Sequence, residues 1–136
     1  MIQPGPGKNF EFSEKIDADY LFSLYADDYP YIEEVFSITL THFDADLDTL
    51  RYAWASGNIS ELKKAAHKMK PAMGFAGLTH SQQRCQDFEE ACHRTTSVAA
   101  LEENYQQLIT TLAESKLLIA AEYERLKAHN KLPLCP

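Results

Sequence analysis

"AAHKMKPAMGFAG", residues 65–77, decides how this chain folds. Turned about a helix axis at about 100° per residue, this stretch and its flanks separate into two sides. Leu62, Ala65, Met69, Ala72, Met73 and Ala76 line one side, an apolar stripe that has to be buried. Ser60, Lys63, Lys64, His67, Lys70, Pro71, Gly74 and Leu78 occupy the other. Pro71 stands where a backbone N–H should bond the carbonyl of His67, and proline has none. Either the helix stops at Lys70, or it runs on through the proline, bent, with Pro71 on its convex, solvent side.

The same spacing of three and four continues on both flanks. Upstream, Ile32, Phe36, Thr39, Phe43, Leu47, Leu50 and Trp54 mark one stripe of a long helix, closed by "SGN" at 56–58. Gly57 suits the left-handed position after a helix end. Downstream, Cys85, Phe88 and Cys92 form a row on a fourth helix. Val98, Leu101, Tyr105, Leu108, Leu112, Ile119 and Leu126 form the stripe of a fifth. Asp17 is placed to N-cap a short first helix carrying Leu21 and Leu24 and ending near "DDYP". Residues 1–13, which open with the Pro- and Gly-rich "MIQPGPGKN", read as a flexible lead-in, 14–128 as the folded unit and 129–136 as an irregular tail. No segment alternates with period two. The expected architecture is therefore all-α: an antiparallel up-down four-helix bundle with a short additional N-terminal helix.

Composition narrows the function classes. With 136 residues the chain is one domain, and 45% apolar with 24% charged residues is ordinary for a water-soluble protein. A net charge of −7 argues against nonspecific nucleic-acid binding. No apolar run approaches the ~20 residues of a membrane span. No secretory leader pattern opens the chain, and Cys85, Cys92 and Cys135 fit no disulfide framework, so a cytoplasmic protein with reduced thiols is expected.

His67 carries the chemistry. It points away from the apolar stripe, and one turn further on the face shrinks to Pro71 and Gly74, leaving the imidazole open to another protein. As an acid–base catalyst it would want an orienting carboxylate, and no Asp or Glu lies on its face of the helix within a turn. As a metal ligand it would want partners at a recognisable spacing, which His80, His93, Cys85 and Cys92 do not offer; the two cysteines read as core residues. As a nucleophile toward phosphorus it is well set, because Lys63, Lys64 and Lys70 lie within a turn to stabilise an anionic product.

At this point the residues resemble a known family. His67-x-x-Lys70 followed by Gly74, Gly77 and Leu78 looks like the signature of histidine-containing phosphotransfer (Hpt) domains of multistep phosphorelays. The resemblance spans roughly residues 14–127, including the "GNISELKKAAH" approach and the "DFEE" stretch after the glycines. It implies an elongated four-helix bundle with additional N-terminal helix. The activity it implies is a phosphoryl group taken from one receiver-domain aspartate and passed to another. His67 would be the phosphoacceptor, Lys70 the neighbouring cation and Gly74 a position kept small for docking. The receiver would cover Lys63, Lys64, Pro71, Gly74 and Gly77, with Phe75 and Leu78 as apolar contacts at the edge. Pro71 departs from the family, which usually has glycine there, and the resemblance favours a kinked continuous helix over one that ends.

No Gly-rich ATP loop is present, so the chain is expected to be a phosphotransfer carrier rather than a kinase, with no cofactor and no metal. The expected partners are receiver domains of response regulators or hybrid sensor kinases, with neither nucleic acid nor membrane, and the protein itself a monomer. Two other readings stay open. One is a binding module that regulates a receiver or histidine kinase without transfer. The other is a metal-binding bundle, which the inward-facing Leu, Met, Ala and Phe disfavour.

Overall fold

A computed structural model describes residues 9–132. The chain folds into α1 (Ala18–Tyr25), α2 (Tyr29–Ala55), α3 (Ile59–Phe75), α4 (Thr79–Arg94) and α5 (Glu102–Asn130), with a 3₁₀ turn at Val98–Leu101. Three helices begin where a side chain can satisfy a free N–H of the first turn. Asp17 Oδ1 accepts from Tyr20 N at 3.0 Å, Asp28 Oδ1 from Tyr31 N at 3.1 Å, and Asn58 Oδ1 from Glu61 N at 3.1 Å. Proline at the start of α2 needs no donor there. Gly57 closes α2 with φ +65°, the left-handed conformation expected of it.

The four long helices pack in a ring, α3 on α2 and α4, and α5 on α2 and α4, with α1 against α2. Short connections make successive helices antiparallel, which is the bundle expected, with its additional N-terminal helix. Ile32, Phe36, Thr39, Phe43, Leu47 and Leu50 of α2 are buried, as their spacing requires. The last turn differs: Ala53 is buried while Trp54 is half-buried and stacks on Tyr105, ring centroids 4.2 Å apart. In α1 Leu21 is buried and Leu24 exposed. Val98 and Leu101 belong to the 3₁₀ turn, so the fifth helix starts four residues later than its stripe suggests.

α3 runs unbroken through Pro71. An interior proline costs about 3 kcal/mol, but ending the helix at Lys70 would release Met73 and Ala76, both fully buried, from the core. Burying one large apolar side chain contributes about 1.5–3 kcal/mol, so continuation is the better outcome. Pro71 is exposed, on the solvent side as expected.

Both ends depart from expectation. Of the supposed lead-in, residues 1–8 lie outside the described residues, but Phe10 and Phe12 pack against the core. Glu122 Oε1 accepts from Ser13 N at 2.6 Å, and Arg125 donates to the Glu11 carbonyl and lies over the Phe10 ring. Paired aromatics so close to a Pro-Gly stretch carry no period, which is why the sequence concealed them. At the other end α5 extends to Asn130, whose amide donates to the Tyr29 carbonyl and to Glu33; residues 133–136 lie outside the described residues.

Candidate functional site

α3 and α4 lie side by side, and the site is the seam between them. The His67 side chain is 68% exposed on α3, yet its Nδ1 is 3.0 Å from Glu89 Oε2 of α4. Lys70, one turn along α3, points inward to Glu89 Oε1 at 2.9 Å and donates to Gln86 Oε1 at 2.7 Å. Glu89, only 11% exposed, thus holds the imidazole with one oxygen and the ammonium with the other. Burial pushes its carboxyl pKa up, but the hydrogen bonds and charges of Lys70 and His67 outweigh this and leave it below the usual carboxylate range.

Glu89 corrects the view that His67 lacks an orienting carboxylate. Within a turn of His67, α3 truly offers none; the carboxylate arrives from 22 residues away, across a helix–helix interface. A signal existed. Glu89 follows Cys85 by four residues and Phe88 by one, placing a carboxylate in the buried row of α4, where a charge needs partners. Gln86 is the second residue that single-helix reasoning missed.

The expected docking residues separate into two groups. Lys63 is half-buried with Nζ 3.4 Å from His93 Nδ1, Lys64 is exposed beside Glu61, and Lys68 pairs with Asp46 at 2.9 Å. Pro71 is exposed and Phe75 is 52% exposed, so both remain available to a partner. Gly74, Gly77 and Leu78 are not. Gly74 is buried, and a Cβ there would collide with the Gln82 side chain of α4. Gly77 is buried with φ +75°, and a Cβ would lie 2.7 Å from Leu21 Cγ and 2.9 Å from Ile16 Cγ2. Leu78 is a core residue. Gly74 and Gly77 were expected on the docking face from the family resemblance, and Leu78 from extending the helix beyond Phe75. The chain turns at Gly77 instead, where Asp17 N bonds its carbonyl at 2.9 Å.

The thiols are core residues, as expected. Burial pushes Cys85 up to about 12 and Cys92 up to about 11, so both stay protonated at neutral pH. Among the described residues no three His, Cys, Asp or Glu side chains converge on a point where a metal could sit, and no helix is long and apolar enough to cross a membrane.

A family model described as "Hpt domain" matches residues 34–129. Two solved structures are similar in fold. The HPT domain of an Hpt sensor hybrid histidine kinase from Shewanella aligns over 82% of this chain and 95% of its own, with a TM-score of 0.72 and 18% identity. Histidine-containing phosphotransfer protein B from Pseudomonas aeruginosa PAO1 aligns over 83% and 97%, with a TM-score of 0.68 and 20% identity. No curated protein matches the chain.

Proposed function

The chain belongs to the Hpt domain family, carriers of phosphoryl groups on histidine in phosphorelays, and from that premise we propose that His67 takes a phosphoryl group from the aspartate of one receiver domain and passes it to another. The observation that carries this reading is the pairing of an exposed imidazole, through Nδ1 at 3.0 Å, with a carboxylate that also holds Lys70. When Nδ1–H donates to Glu89, the neutral ring keeps its lone pair on Nε2, the nitrogen left free for a partner.

Attack by Nε2 on the phosphorus of an aspartyl phosphate forms the N–P bond and breaks the O–P bond. The aspartate leaves as a free carboxylate. The ring keeps its Nδ1 proton and becomes cationic, facing Glu89, while Lys70 is near enough to turn toward the phosphoryl oxygens. Delivery to the second receiver runs the same bonds in reverse. The site thus supplies a tautomer, a counter-charge and a cation, and the receivers supply the rest of the chemistry.

Incubation with a phosphorylated receiver domain tests the reading. The protein should acquire an acid-labile, base-stable label, and His67→Gln should abolish it while shifting the thermal midpoint by about a few degrees at most, since glutamine can still donate to Glu89. Label retained on His42, His80, His93 or His129 in that variant would sink the assignment.

A further inference from the structure

Pro71 lies within α3 four residues after His67 and has no N–H, so the His67 carbonyl lacks its helical donor. It lies on the exposed side, beside the reactive imidazole. The cationic side chains around it are engaged elsewhere: Lys64 with Glu61, Lys68 with Asp46, and Lys70 with Glu89 and Gln86. Pro71 is exposed, and carbonyls on the solvent side of a bent helix tilt toward water, which hydrates this oxygen in the free protein. Under a docked partner water is expelled, and an unpaired carbonyl weakens the complex.

The surface beside Pro71 is one that a partner has reason to cover. Pro71 forms part of the wall of a groove of about 620 Å³ between α2 and α3, otherwise lined largely by apolar side chains such as Val35, Ile38, Met69, Ala72 and Phe75. Leu24, Tyr31, Ile38 and Phe75, all exposed, gather in this one groove, and a clustered apolar patch marks a surface for a partner. This groove is continuous with the His67 face through Lys68 and Pro71.

We infer that the receiver domain docks an apolar ridge into the α2–α3 groove and must bring a hydrogen-bond donor to the His67 carbonyl that Pro71 leaves free, so that Pro71 selects among receivers. The inference rests on the phosphocarrier reading above. The donor is a side-chain N–H or O–H, or a backbone N–H, placed beside the ridge. A receiver lacking it would fit the groove and still bury an unpaired oxygen, which is rejection by desolvation rather than by clash.

Three versions of residue 71 separate the carbonyl from the ring. The parent has the ring and no N–H; Pro71→Ala restores the N–H and removes the ring. Replacing Pro71 by the α-hydroxy analogue of alanine removes the ring but, being an ester, still supplies no N–H. Each protein is charged on histidine with phosphoramidate and mixed with a panel of purified receiver domains, and the fastest acceptor of the parent becomes the probe. Both replacements lose the ring and only alanine regains the N–H, so against this probe Pro71→Ala should raise the receiver concentration for half-maximal transfer about two- to tenfold above the value for the ester. An alanine scan of the probe should find one donor whose loss weakens transfer from the parent but adds nothing with Pro71→Ala. Equal behaviour of the Ala and ester versions would overturn the inference and leave the phosphocarrier reading intact. Failure of every receiver to discharge the parent would overturn both.

Discussion

The two halves of the stretch from His67 to Gly77 act by opposite means. At His67 and Lys70, functional groups meet across the α3–α4 seam on a buried carboxylate. At Gly74 and Gly77, what matters is the missing side chain: Gln82 of α4 fills the space over the first, and Leu21 and Ile16 close over the second. One half presents an imidazole to solvent and the other holds the bundle together. A glycine next to a reactive residue can therefore be mistaken for a docking position when its neighbour is another part of the same chain.

Substitutions at the two halves should separate activity from stability, and the largest effects break the comparison most sharply. Gly77→Ala forces a left-handed backbone on a residue with a Cβ and drives that Cβ into Leu21 and Ile16. It should cost about 2–4 kcal/mol of stability in denaturant melts, while the folded fraction still accepts phosphate. Label lost in step with no loss of stability would return Gly77 to the docking face.

Lys70→Ala takes one of two partners from buried Glu89 and so lowers stability, but the folded protein should transfer about ten- to a hundredfold more slowly, the worth of one charge-assisted contact of about 1.5–3 kcal/mol. Lys68→Ala, which breaks an ion pair with one exposed member, should change transfer about twofold at most. Equal effects from the two would mean that bulk charge alone matters.

Glu89 joins the halves, because it is at once a buried group and a positioning one. Its folded-state pKa is depressed, so its ionised form contributes stability above the ordinary carboxyl range, and that contribution is lost as pH falls through the depressed value. Glu89→Gln should therefore flatten the acid limb of the stability–pH profile. It still offers Nδ1–H an oxygen acceptor, so transfer should slow less than in Glu89→Ala, which removes the acceptor as well as the counter-charge of Lys70. Comparing the two variants' transfer rates at neutral pH checks this, and identical rates would remove the tautomer from the mechanism.

Gly74→Ala is the mildest test. Its Cβ meets only the end of the Gln82 side chain, which can swing aside, so stability should change by about 1 kcal/mol or less and transfer not at all. A large loss of transfer here would show that a partner does reach Gly74.

What the amino-acid sequence determined was everything that recurs along one helix. Stripes at spacings of three and four led to the right helices, and Asp17 and Gly57 marked the right ends. The outward direction of His67 followed from rotation alone, because the core face of α3 is complete without it. Pairings between elements were decided by the tertiary structure alone. Whether Gly74 meets a partner or Gln82, whether Phe10 and Phe12 dangle or pack, and which carboxylate holds Nδ1 all depend on how helices are set side by side. Periodicity tells which face is buried; it carries no information about what is opposite. Glu89 was visible as a carboxylate in a buried row, but only the packing of α4 on α3 brought it to His67 and gave the imidazole a direction.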